Sequence, residues 1–208
     1  MTRGRSSPSG PHAFSIRPRG GGTDALQVDR QRLTCGGLDD RARLGSDRLA
    51  DLVRTARADD VPHVAAIERA SFADPWSRRA FGELLGRPEV YFVVAAAPPA
   101  PAGATPPGGV LGYAVAWFVV GEGEVANIAV HPRCRGQGVG ASLLDDVLRE
   151  AEARTVDTVF LEVRESNVPA RALYASRDFH PVGRRRNYYR SPVEDALLLR
   201  RTTGTAGG

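Results

Sequence analysis

Lysine is absent from these 208 residues, so all 28 basic side chains are arginine. No mechanism that depends on a lysine amine is open to the chain. That removes a Walker-type phosphate loop, a Schiff base and a Ser-Lys pair. Cysteine is scarce: Cys35 and Cys134 stand far apart and outside any metal-ligand spacing, which leads to the expectation of a reducing compartment and no disulfide framework. No apolar run approaches the roughly 20 residues of a membrane span, and the N-terminus lacks the apolar core of a secretion signal. These absences together lead to the expectation of a cytoplasmic protein that does not engage a membrane.

The net charge of +4 belongs to one end. Nine arginines and five aspartates in the first fifty residues account for it, and the remaining nineteen basic and nineteen acidic groups cancel. A basic tail on a balanced body gives little support for nucleic-acid binding. Residues 1–49 are rich in Gly, Ser, Arg and Asp without a sustained apolar period. Such a segment buries too little to offset its ordering entropy, so disorder is expected there, with one domain over 50–202 and a flexible tail over 203–208.

Within the domain the apolar periodicity changes repeatedly between strand and helix. Leu52 and Val53 suggest a short strand, followed by a helix capped by Asp59 or Asp60 with Pro62 in its first turn. A second helix runs from "PWSRRAFGELL" to about Leu85, with Ser77 near its start. "VYFVVAA" and "VLGYAVAWFVV" read as strands joined by the long hairpin loop "PPAPAGATPPGG", and "EVANIAV" as a further strand. Leu144, Val147, Leu148 and Ala151 mark one face of a helix, "TVFLEV" a strand, "PARALYASR" a short helix, and the end two strands around Ser191-Pro192. The order is βααβββαβαββ, an α/β domain with a mixed sheet and helices on its faces.

The stretch "IAVHPRCRGQGVGASLLDD" runs a strand through three glycines directly into a helix. A plain turn needs one glycine; three let a ligand approach the backbone without meeting a Cβ. Unpaired N–H groups at a helix start suit a diphosphate, and Arg133 and Arg135 add positive potential. The competing reading is a solvated turn. A dinucleotide fold is set aside, because it needs G-x-G-x-x-G after the first strand of a βαβ unit.

In "TVFLEV", Val159, Leu161 and Val163 point one way and Phe160 and Glu162 the other. Glu162 beside Phe160 is either a partly desolvated base or one half of a structural ion pair with Arg164 or a residue of a neighbouring strand. Tyr174 lies on the apolar face of the short helix, a core position unless chemistry requires its hydroxyl. Asn167 reads as that helix's cap.

"NIAVHPRCRGQGVGASLL", "LEVRESNVPARALY", "GRRRNYYRSPVEDALLL" and "IERASFADPW" together resemble the GCN5-related N-acetyltransferase superfamily and, within it, the RimI-like ribosomal-protein-alanine N-acetyltransferases. The likeness covers about Leu52 to Arg201. It implies the GNAT fold: a mostly antiparallel mixed sheet of six to seven strands, helices on both faces, and a splay between strands four and five that receives acetyl-CoA. By this resemblance Ile128, Ala129 and Val130 offer backbone to the pantetheine arm and thioester. Arg135, Gly136, Gln137, Gly138, Val139, Gly140 and Ala141 surround the pyrophosphate, and Asn167 contacts the cofactor. Glu162 takes the general-base position, Tyr174 that of the general acid, and Trp76 and Tyr188 flank the acceptor groove. The implied substrate is a protein N-terminus, the N-terminal alanine of a ribosomal protein favoured, with no metal, no direct nucleic-acid contact and no defined oligomeric state; the alternatives are an acetyltransferase of the same fold for a small amine or a protein lysine, and a non-catalytic acyl-CoA-binding domain. Asp178 departs from the family's usual helix-ending glycine at a position that favours left-handed backbone. The picture requires free loop amides, and it places the acid and the phenol on one side of the sheet.

Overall fold

A computed structural model of the chain describes residues 49–97 and 109–203; all of the expected disordered segment but Leu49, which is buried in the core, most of the hairpin loop and most of the tail lie outside the described residues. Seven strands and four α-helices follow the expected order: β1 (Val53–Thr55), α1 (Val61–Ser71), α2 (Arg78–Leu84), β2 (Val90–Ala96), β3 (Val110–Val119), β4 (Glu122–Val130), α3 (Val139–Ala153), β5 (Thr158–Arg164), α4 (Val168–Ala175), β6 (His180–Arg190) and β7 (Val193–Thr202). The sheet order is β1-β2-β3-β4-β5-β7-β6. Every adjacent pair is antiparallel except β4 and β5, which are parallel. β7 thus slots between β5 and β6, an arrangement that strand periodicity does not encode.

Each face of the sheet has its own core. One joins α3 and α4 to the sheet through Leu143, Leu144, Val147, Val159, Leu161, Val163 and Tyr174. The other packs α1 and α2 through Val64, Ile67, Phe81, Phe92, Tyr113 and Val115. β3 has nine of its ten residues buried because both faces are covered, so it reads as a continuous apolar run.

The helix ends differ from the sequence reading in one case. Asp60 occupies the position before α1, yet its carboxylate makes no cap. It accepts from Arg54 Nη1 and Nη2 at 2.7 and 2.9 Å and from Arg57 N at 2.8 Å, tying β1 to the helix start. Ser77 caps α2 by accepting from Ala80 N at 3.1 Å, and Asn167 caps α4 by accepting from Ala170 N at 3.2 Å. Asp178 sits at φ +60°, the left-handed conformation expected for the family's glycine position. The expectation of no disulfide is corrected: Cys134 is disulfide-bonded, and the chain's other cysteine, Cys35, lies outside the described residues.

Candidate active site

β4 and β5 are bonded along only part of their length. Their parallel register runs from Glu122 opposite Thr158 to Val125 opposite Leu161 and goes no further among the described residues. β4 continues on its other edge, where Asn127 to Val130 pair with Val115 to Gly112 of β3. A bulge initiates the divergence: Val125 pairs with Ala116 and Asn127 with Val115, so Ala126 is the extra residue that bends the strand. Among the described residues, Ala126–Val130 therefore present one edge without a strand neighbour, a place where an extended ligand can pair with backbone.

Beyond the gap lies the glycine loop. Gly136 and Gly138 adopt φ +72° and +88°, and Gly138 ends the turn as the residue before α3. The first helical bond runs from Ser142 N to Gly138 O at 3.0 Å. The amides of Val139, Gly140 and Ala141 precede it and have no partner among the described residues. A Cβ on Gly136 would meet nothing within 4 Å, so its outer side is open. Free amides, an open glycine and the positive end of a fifteen-residue helix make a cradle that fits a diphosphate.

Arg135, expected beside the anion, also ties the loop to the rest of the fold. Its Nε donates to Val130 O at 3.2 Å and its Nη2 to Ser71 Oγ at 3.1 Å, which braces the loop against the end of β4 and the end of α1. Gln137 Nε2 donates to Arg133 O at 3.2 Å across the same turn. His131 accepts from Arg133 N through Nδ1 at 3.3 Å; its burial, then Arg133 and Arg135, keep its pKa below the ordinary histidine range.

Glu162 and Tyr174 are both buried. Leu161 and Val163 share a core with Tyr174, so strand alternation puts Glu162 on the opposite face of β5. This corrects the expectation that acid and phenol share one side of the sheet. They stand on either side of β5 where it leaves β4. Glu162 Oε1 lies 2.7 Å from Arg185 Nε, so the ion pair with a nearby strand that the sequence left open is formed. Tyr174 packs edge-on against Phe179 at 5.9 Å between centroids.

A cavity of about 260 Å³ lies on the β6–β7 side, lined by Ser71 and Ala73, by Arg164, Ser166 and Asn167, and by the β6–β7 turn with Glu194. Glu194 accepts from Ser166 N at 2.6 Å and pairs with Arg164 at 3.3 Å. Burial opposes its ionisation, but the Ser166 amide and Arg164 outweigh that and hold its pKa below the ordinary value. Arg164 also donates to Pro192 O and Ser191 O, fixing the turn, and its guanidinium stacks 4.0 Å from the Tyr189 ring centre. Of the two expected groove aromatics, Tyr188 is half-buried under Arg185. Trp76 instead packs into the α1–α2 core, 5.6 Å from Phe81, so its ring is not a groove surface.

Sequence reasoning missed Glu68. This α1 carboxylate has no exposed surface and accepts from Trp76 N at 2.9 Å, from the Tyr113 hydroxyl and from Asn127 Nδ2. Burial, ahead of those opposing hydrogen bonds, raises its pKa to about 7.

A parted parallel strand pair followed by an amide cradle defines an acyl-CoA transferase fold, and the comparisons agree. The model of the Acetyltransferase (GNAT) family matches residues 61–179, and the chain belongs to that family of acetyl-CoA-dependent N-acetyltransferases. It is similar to the ribosomal protein bS18-alanine N-acetyltransferase of Escherichia coli strain K12, 36% identical over 142 residues, or 67% of this chain and 89% of that one. It is also similar to the N-alpha-acetyltransferase RimI of Mycobacterium tuberculosis, 36% identical over 151 residues, or 70% and 88% of the two chains. The crystal structure of the ribosomal-protein-S18-alanine N-acetyltransferase from Escherichia coli superposes with a TM-score of 0.63 at 33% identity, covering 74% of this chain and 95% of that one.

Proposed function

We propose that the chain transfers the acetyl group of acetyl-CoA to the α-amine of a protein N-terminus, with the N-terminal alanine of a ribosomal protein of the bS18 type as substrate. The observation that carries this reading is the parting of β4 from β5 beside the free amides at the start of α3. Bound acetyl-CoA supplies an activated acetyl thioester. The amides of Val139, Gly140 and Ala141 hold its diphosphate, the open edge of Ile128, Ala129 and Val130 aligns the pantetheine arm and polarises the acyl oxygen, and Asn167 closes the far side.

With acetyl-CoA bound, Glu162 would face the incoming amine as its C–N bond to the acyl carbon forms, and Tyr174 would face the sulfur as the C–S bond breaks. Glu162 takes a proton from the attacking amine, directly or through one water, and Tyr174 gives one to the sulfur. An α-amine titrates near 7.7 to 8 and a lysine side chain near 10.4, so a carboxylate base suits the former. The 260 Å³ cavity beside Ser71, Ala73 and the β6–β7 turn accommodates the first residues of the acceptor. This activity belongs in the cytoplasm, where bacterial ribosomes are assembled. Among the described residues no helix is long and apolar enough to cross a membrane.

Mass spectrometry of protein incubated with acetyl-CoA and short peptides differing only in their first residue tests the reading. Acetylation of the α-amine, strongest with alanine first, is the expected result. Modification of a lysine side chain with the α-amine untouched overturns it in favour of another acetyltransferase substrate.

A further inference from the structure

The chemistry above leaves Glu68 unused, although it is buried beside the gap. Every group that bonds to it donates: Trp76 N from the turn after α1, the Tyr113 hydroxyl from β3, and Asn127 Nδ2 from β4, at 3.3 and 3.2 Å to its two oxygens. The titratable groups facing it are Tyr113 and Asp74; α2 contributes Phe81, edge-on to Tyr113 at 5.3 Å. No arginine or histidine pairs with it among the described residues.

This arrangement dictates the orientation of Asn127. A carboxylate only accepts, so the carboxamide must turn its amino group to Glu68 and leave Oδ1 as its other end. Oδ1 is buried and has no hydrogen-bond partner among the described residues. Buried amide oxygens in that state are rare, and one beside a reaction site points to a ligand. Asn127 directly follows the bulged Ala126, where β4 leaves β5. Its bond to Glu68 places its side chain on the α1 face, which is also the face of Glu162.

We propose that Glu68 is a positioning residue: it holds the Asn127 carboxamide in one orientation, so that Oδ1 accepts a hydrogen bond from the incoming primary amine at the mouth of the gap. The inference rests on the reading of the gap as the transfer site. One N–H of the amine then faces Asn127 and another faces Glu162, which directs the lone pair at the acyl carbon. A proton on Glu68 undoes this. Trp76 N offers no acceptor, and Tyr113 can accept only by losing the partner of its own hydroxyl proton. The remaining response is for Asn127 to turn over, which withdraws Oδ1 and points an amino group at the amine. Burial raises the Glu68 carboxyl to about 7, so the change falls in the neutral range.

Steady-state kinetics over about pH 6 to 8.5, with acetyl-CoA affinity measured separately by calorimetry, test this on Glu68→Gln, Asn127→Ala, the double variant and Tyr113→Phe. Glu68→Gln is expected to raise the acceptor KM about tenfold, leave acetyl-CoA affinity unchanged and flatten the pH dependence of KM. The double variant is expected to be no worse than Asn127→Ala alone. Tyr113→Phe removes a donor that favours the charged carboxylate, so the midpoint of the KM profile moves to higher pH. Wild-type KM and pH profile in Glu68→Gln, or additive losses in the double variant, overturn the proposal. So does a fall in acetyl-CoA affinity parallel to the loss of Tm, which would mark a merely structural role. If Glu68→Gln does not fold, the direction of the Tyr113→Phe shift decides. If wild-type protein prefers another amine to a peptide α-amine, the acceptor assignment fails, and the same series run on that amine still decides the role of Glu68.

Discussion

Arg185 reaches from β6 across the intervening β7 to place its Nε 2.7 Å from Oε1 of Glu162 on β5. The ladder explains how: Arg185 stands opposite Ala196, whose single methyl leaves the face of β7 clear for a long side chain. The proposed base is thereby fixed by a residue two strands away, and two of the arginines of "RRRNYYR", Arg184 and Arg185, are drawn into ion pairs within the domain. Arg184 likewise pairs with Glu165 at 2.5 Å and Asp195 at 3.2 Å.

Glu162→Gln keeps an acceptor for Arg185 and removes the basic carboxylate. Acetyl transfer is expected to fall by about 10²-fold or more, while calorimetry finds acetyl-CoA affinity nearly unchanged. Full activity in this variant would remove Glu162 from its assigned role.

Tyr174→Phe preserves the ring that packs against Phe179. Thermal unfolding should therefore change by no more than about 1 kcal/mol, whereas kcat should drop because the departing thiolate loses its proton donor. Equal kcat would show that the phenol serves packing alone.

Gly138→Ala combines φ +88° with a Cβ that would sit 3.0 Å from Leu49 Cδ1. The left-handed conformation alone costs about 1–2 kcal/mol for a residue with a Cβ. Calorimetry is expected to find weaker acetyl-CoA binding as the loop shifts. Gly136→Ala, with open space around its Cβ, should keep only the conformational cost, so the two variants differ in severity.

Asp178→Gly relieves a non-glycine residue at φ +60°. Stability should rise by about 1 kcal/mol, offset in part by the greater freedom of glycine in the unfolded chain. Urea unfolding measures this, and acetyl transfer should persist.

Glu68 gives a stability profile of definite sign. Its folded pKa of about 7 exceeds the ordinary 4.5, so between these values the folded state binds the proton more tightly than the unfolded state. Its contribution is full below pH 4.5, declines as pH rises and is lost above pH 7, a total of about 3 kcal/mol at 1.36 kcal/mol per unit. Glu68→Gln should lack that component of the slope in denaturant unfolding measured from pH 5 to 8.

The element order and the glycine loop were legible because both are local. Strand alternation, helical spacing and Gly136 and Gly138 before an apolar helix act within a few residues. Glu68 was not legible, since a glutamate in an amphipathic helix looks like a solvated one. Its burial depends on Tyr113, 45 residues on, and Asn127, 59 residues on. The bracing bond of Arg135 was not legible for the same reason: its acceptor Ser71 is 64 residues away in the chain.

By itself the sequence determined which segments become helix and strand, and where backbone lies bare before α3, because periodicity and glycine act through neighbouring residues. Tertiary structure decided the rest. It inserted β7 between β5 and β6, so that Arg185 reaches Glu162, and it parted β4 from β5 at a bulge. It also set the proposed base and acid on opposite faces, since sheet order and burial arise only when distant segments compete for the same hydrogen bonds and the same core.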